Sequence, residues 1–178
     1  MSKIYITVRI KPYLKDFLLH INGEQAPNGE HMVVASKKNI TGFFVFPLLE
    51  KTPECWKPLK DDLTKLLTIE LPYNPEMNIR CNNYVSDTGM RHFQSAIESI
   101  FLAEFYREVS YTLTHNPHAK IKDAIIDFCY AFGISFDNVN YEMLRKKYTR
   151  YRAMTAGKKK QHHLSFRKRY NRIKDQVS

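Results

Sequence analysis

No part of this sequence is apolar for long. The most apolar run, Phe43-Phe44-Val45-Phe46-Pro47-Leu48-Leu49, is seven residues and holds a proline, whereas a membrane-spanning helix needs roughly 20 apolar residues. Cysteine is scarce: Cys55, Cys81 and Cys129 are odd in number, far apart and outside any CxxC pair. They read as reduced thiols of a cytoplasmic protein rather than as a disulfide framework. Glycine is scarce as well, with six in 178 residues and none arranged as GxGxxG or GxxxxGK. That removes the usual backbone cradles for a nucleotide phosphate. The GxSxG and HExxH patterns of serine hydrolases and zinc proteases are missing too. The first residues are no secretory leader, because apolar and polar residues alternate and Arg9 and Lys11 fall where an apolar stretch should run.

What is present is a globular composition. Hydrophobic residues make up 43% and aromatic residues 13%, enough to offset the ordering entropy of a single core without disulfides. Charge is distributed unevenly. Residues 1–118 hold 13 Lys+Arg and 13 Asp+Glu, while residues 142–178 hold 13 basic and 2 acidic residues. The net charge of +10 therefore belongs to the end of the chain. A neutral body with a basic end is the electrostatic footprint expected for a polyanion partner. A solvated tail that only confers solubility is the plain alternative.

The pattern predicts an α+β chain. Ile4, Ile6, Val8 and Ile10 alternate with Tyr5, Thr7 and Arg9, as in a half-buried strand. Pro12 suits a first helical position; Leu14, Phe17, Leu18 and Ile21 follow at helical spacing, and Asn22-Gly23 is a stop. Residues 25–29 read as a loop. Residues 31–36 and 40–46 read as a strand hairpin turned by Lys37-Lys38-Asn39, and residues 65–71 as a further strand. Trp56 reads as a core or edge residue, and residues 73–84 as mostly loop. These elements imply a small N-terminal mixed sheet carrying one helix.

A helical part follows. Ser86 or Asp87 can cap a helix whose Met90, Phe93, Ile97, Ile100, Phe101, Phe105 and Val109 recur every three or four residues. Asn116-Pro117 breaks it. Ile121, Ala124, Ile125, Phe128 and Phe132 form a second stripe, closed by Gly133. A third helix is expected from residue 139 or 140 to 154, with Val139, Leu144, Tyr148 and Tyr151 inward. Residues 155–163 read as a basic linker, and 164–178 as a basic helix with Phe166, Tyr170, Ile173 and Val177 on one side. The expected division is a scaffold over 1–85, helices over 86–154, the linker and the final helix, with 1–154 compact.

The basic end supplies the candidate site. Lys146, Thr149 and Arg150 lie opposite the inward stripe of the third helix, flanked by Arg145, Lys147 and Arg152. Lys158, Lys159 and Lys160 follow in the linker, and Arg167, Lys168, Arg169 and Arg172 in the last helix. A cation placed on a phosphate releases a condensed counterion, and arginine adds bidentate geometry. Tyr148, Tyr151 and Tyr170 could stack on unpaired bases, but their place on inward stripes favours packing. Residues 121–152 have the order of a helix-turn-helix, although six or seven residues between helices exceed the usual three or four. A membrane partner is not expected, since the apolar stripe of the last helix is thin for insertion.

The run Tyr141-Glu142-Met143-Leu144-Arg145-Lys146-Lys147-Tyr148-Thr149-Arg150-Tyr151-Arg152, with Asp123-Ala124-Ile125-Ile126-Asp127-Phe128 before it, resembles the C-terminal part of small accessory proteins of bacteriophages and mobile elements. The resemblance covers the last third of the chain and carries no catalytic signature. It implies a DNA-associated or particle-associated role. The expectation is a non-enzymatic accessory protein that binds the phosphate backbone of DNA or RNA, without metal or cofactor, in regulation, replication or packaging. The competing expectation is an assembly protein of a phage particle or other complex, self-associating through its aromatic-rich body and facing packaged nucleic acid or an acidic subunit. His115, His118, His162 and His163 lack the partners of a zinc site. Asp61, Asp62, Asp123 and Asp127 are the carboxylates a magnesium-dependent nuclease would draw on. For Asp123 and Asp127 a solvated helix face, with Lys120 and Lys122 nearby, is the preferred reading.

Overall fold

A computed structural model describes residues 4–25, 31–55, 57, 59, 65–72, 82–135 and 141–156. Trp56, residues 26–29 of the expected loop, most of the segment 73–84, residues 157–163 of the expected linker and the expected final helix lie outside the described residues; Gln25, expected in the loop, is in a strand, and Thr155 and Ala156, expected to open the linker, are helical.

The chain opens with strand β1 (Ile4–Arg9), helix α1 (Pro12–Asn22), and strands β2 (Gly23–Gln25) and β3 (His31–Val34). A short helix α2 (Ile40–Val45) runs into a 3-10 turn, Phe46–Leu48. Strands β4 (Glu50–Lys51), β5 (Leu66–Leu71) and β6 (Asn82–Tyr84) follow, then helices α3 (Asp87–His115) and α4 (Ile121–Ala131). Residues 141–156 are helical and are called α5. The sequence-based α+β reading is correct.

Four strands form a mixed sheet in the order β1-β5-β3-β2, and β4 pairs with β6 in a separate ribbon. β1 and β5 are antiparallel, placing Ile6 opposite Ile69 and Val8 opposite Leu67. Both pairs point to the core, as the alternation in β1 requires. β3 runs parallel to β5, so the chain between them is a crossover rather than a hairpin.

That crossover overturns the expected hairpin of residues 31–36 and 40–46. Residues 40–45 are rich in β-branched and aromatic side chains, which favours a strand, yet they form α2. The reason is Asn39. Its Oδ1 accepts from Gly42 N at 2.8 Å and from Ser36 N at 3.0 Å, and its Nδ2 donates to Val34 O at 2.7 Å. One side chain thus closes β3 and starts the helix. Gly42 permits the turn, because a Cβ there would sit 2.1 Å from Ser36 O. The N-terminal part therefore carries two helices, not one.

Other boundaries follow the sequence. Pro12 opens α1. Ser86 caps α3 by accepting from Gly89 N at 3.3 Å, and Gly133 follows α4 with φ of 60°. Gly23 ends α1 differently from expectation: its φ is −76° and strand β2 starts at once. The glycine serves close approach, since a Cβ would meet Leu19 O. α3 also runs one and a half turns beyond its last fully buried residue, Val109, before Asn116-Pro117 stops it.

One core joins sheet and helices. Leu14, Phe17 and Leu18 of α1 meet Ile97, Phe101 and Phe105 of α3, Ile125 and Phe128 of α4, and Leu144 and Tyr148 of α5. Its centre is aromatic. Phe101 meets Phe17 edge-on at 5.3 Å and Phe128 at 5.6 Å, and Phe105 meets Phe128 at 5.1 Å. These are the tilted geometries that aromatic quadrupoles favour.

Candidate functional site

The basic helix α5 is seated by three residues at helical spacing. Leu144 and Tyr148 are buried, and Tyr151 is half-buried. The Tyr148 ring packs edge-on against Phe105 at 6.1 Å, and its hydroxyl shares a hydrogen bond with Ser110 Oγ at 3.4 Å. Tyr151 lies flat on Tyr106 of α3, with centroids 4.2 Å apart and planes within 4°. Burial, then the nearby Tyr151 and Glu98, raise the Tyr106 hydroxyl above its ordinary pKa. The two tyrosines weighed as base platforms, Tyr148 and Tyr151, are therefore occupied with packing. Tyr170 lies outside the described residues.

Beside this aromatic seam stands Glu98, a residue that sequence reasoning missed. Its Oε2 accepts from Lys11 Nζ at 2.7 Å, and its Oε1 from Lys147 Nζ at 2.9 Å. One carboxylate thus ties three elements together: the start of α1, the middle of α3 and α5. Burial alone would raise its pKa. Hydrogen bonds from Lys11 and Lys147, with their charges, outweigh that and hold the carboxyl at about 2. Tyr13 is buried in the same neighbourhood, and its hydroxyl is pushed well above its ordinary pKa by burial and by the charge of Glu98.

A sequence signal for this seam existed. Glu98, Leu102 and Tyr106 each follow a buried core residue, Ile97, Phe101 or Phe105, by one position, and all three are half-buried. A helix whose stripe widens on one side has a second neighbour to cover it, and here that neighbour is α5.

The described cations of the candidate site fall into two groups. Lys147 is bound inward by Glu98, and Arg145 is held on the surface by Glu142 at 2.9 Å. Lys146, Arg150 and Arg152 are exposed, and no described carboxylate pairs with them. Lys147 is thus no flank cation of the outward face, contrary to the helical-wheel expectation. Lys158, Lys159, Lys160, Arg167, Lys168, Arg169 and Arg172 lie outside the described residues.

Other candidates are less organised. His115 ends α3 and its Nδ1 is 3.0 Å from Tyr111 O, while His118 is in the following turn. Asp123 and Asp127 both lie on the exposed side of α4. No group of three His, Cys, Asp or Glu residues is gathered for a metal among the described residues. A cleft of about 260 Å³ opens between β1 and the start of α3, lined by Arg9, Asp87, Met90, Arg91 and Gln94. Arg9 and Asp87 pair across it at 3.7 Å. No described helix is long and apolar enough to cross a membrane.

No protein-family model, curated protein or solved structure matches the chain.

Proposed function

We propose that this protein is a non-catalytic nucleic-acid-binding accessory protein, docking on a phosphate backbone through α5 and the basic residues beyond it. Its setting would be regulation, replication or packaging. The observation that carries the reading is the sorting of charge on α5. Leu144, Tyr148 and Tyr151 pack against the core, Lys147 is paired with Glu98, and Lys146, Arg150 and Arg152 face solvent with no described acidic partner. Residues 157–178 add eight further Lys and Arg against one Asp. Arrays of this kind gain affinity by releasing counterions from phosphates.

The test is fluorescence anisotropy of a labelled mixed-sequence oligonucleotide across a salt series. The wild-type chain is compared with a Lys146→Glu/Arg150→Glu double variant. Binding should weaken steeply with salt, and the double variant should bind less and with a flatter slope. No binding at low salt by the wild-type chain refutes the reading. Large assemblies in the same sample would then favour the assembly-protein alternative.

A further inference from the structure

The nucleic-acid reading leaves open which form of nucleic acid α5 fits, and the helix itself carries that information. We infer that α5 lies lengthwise in the major groove of duplex DNA, with its two rows of cations reaching the phosphates on either side. The inference rests on the nucleic-acid reading and narrows it to one partner.

Three observations support it. The first is the disposition of charge. At about 100° per residue, Lys146 and Arg150 lie side by side on one flank of the exposed surface, and Arg145 and Arg152 on the other, about 120° around the axis. All four are exposed. A single strand offers one line of phosphates, whereas a groove offers two, and a helix with cations on both flanks matches the second arrangement. The Arg145–Glu142 pair does not remove Arg145 from the array. Both side chains are about half exposed, and such an i,i+3 pair is worth little in water.

The second observation is what lies between the two rows. Thr149, Ala153 and Ala156 occupy the middle of the exposed strip, and all three are solvent-facing. Short side chains let a helix backbone approach a groove floor, where a long one would hold it away. The major groove of B-form DNA, about 12 Å wide, admits a helix, while the major groove of A-form RNA is too narrow for side chains to read. Glu142, the one acidic residue of α5, lies at the N-terminal end of the strip and is half-buried.

The third observation is the fate of the aromatics. Sequence-tolerant binding of single strands relies on bases stacking on aromatic rings. α5 has three tyrosines. Tyr148 is buried, Tyr151 is covered by Tyr106, and Tyr141 is half-buried against the core. The exposed surface of α5 therefore presents cations, small residues and Met154, but no ring.

The experiment uses the full chain and three labelled ligands: a mixed-sequence DNA duplex, one of its strands, and an RNA duplex of the same sequence. Each is titrated over a salt series. Duplex DNA should bind at least tenfold more tightly than the other two. An Ala153→Leu variant, exposed and therefore neutral for folding, should lose at least tenfold of duplex affinity while keeping its salt slope, with circular dichroism confirming that it folds. Binding of the single strand or the RNA duplex equal to or tighter than duplex DNA overturns the inference and leaves the broader reading standing. So does an Ala153→Leu variant that binds like the wild type. Absence of binding to all three ligands overturns both.

Discussion

Lys147 Nζ rests on Glu98 Oε1 at 2.9 Å, so one cation of the basic helix belongs to the body of the protein. The same carboxylate holds Lys11 from the other side at 2.7 Å. Chain segments separated by 87 and 49 positions therefore meet at one side chain. The link keeps α5 in a fixed orientation, and with it the direction in which Lys146 and Arg150 point.

Replacing Glu98 by Gln should therefore destabilise the fold. The side chain keeps its shape but leaves two ammonium groups without a counter-charge. Lys11 is 43% exposed and turns to water easily, whereas Lys147 is 27% exposed and does so less readily. The expected loss is about 2 kcal/mol, less than for a fully buried pair. Urea denaturation measures it, and a loss below about 0.5 kcal/mol would show that the bridge contributes nothing beyond packing.

The same group sets an acid limit. Its folded pKa of about 2 lies below the ordinary value of 4.5. A depressed carboxyl stabilises the fold fully above the unfolded value, and that contribution fades as pH falls from 4.5 towards 2. The wild type should thus lose on the order of 2 kcal/mol more over this interval than Glu98→Gln, in which no carboxyl titrates at this position. Chemical denaturation at pH 7, 4 and 2.5 reads the difference; parallel curves for the two proteins would refute it.

Which parts of this fold were legible in the sequence follows from where the information resides. The alternation of Ile4 to Ile10 and the three-to-four spacing from Met90 to Val109 record burial directly, because each element faces one core. Residues 40–45 mislead because their composition favours a strand, while a single side chain, Asn39, imposes a helix through contacts to Val34, Ser36 and Gly42. For the candidate site, periodicity found the cations and the inward stripe of α5. It had no means of pairing Lys147 with Glu98, since a contact across 49 positions leaves no local pattern.

Asn39→Ala tests that local override. It removes three hydrogen bonds at once, two to backbone N–H groups and one to a carbonyl. An N-cap replacement costs about 1 kcal/mol, and the half-buried groups left behind add to it. The expected loss is about 2–3 kcal/mol in a denaturant titration. Asn39→Asp should recover part of this, because its carboxylate still accepts from both N–H groups but cannot donate to Val34 O. Equal losses in the two variants would show that the cap plays no part.

The cysteines should differ sharply in reactivity. Cys55 is exposed, and Cys129 is on the buried face of α4. Burial pushes the Cys129 thiol up to about 11, so thiolate, the reactive form, is rare there near neutral pH. In native protein at pH 8, iodoacetamide should label Cys55 within minutes and leave Cys129 unmodified until denaturant is added. Peptide mass spectrometry distinguishes the sites. Native labelling of Cys129 at the rate of Cys55 would show that the core around α4 opens readily.

Adjacent lysines give the sharpest separation of stability from binding. Lys146 is exposed and Lys147 is tied to Glu98. Lys146→Ala should leave the denaturation midpoint nearly unchanged and flatten the logarithmic salt dependence of duplex binding by about one unit, as expected for one lost phosphate contact. Lys147→Ala should do the reverse, lowering stability by about 1 kcal/mol because Glu98 loses one of its two ammonium partners and keeps only Lys11, and leaving the salt slope as it was. The two substitutions remove the same charge from neighbouring positions, so a general loss of positive potential would affect binding equally in both. Equal slopes in the two variants would mean that α5 attracts nucleic acid only by its net charge, with no fixed face towards the phosphates.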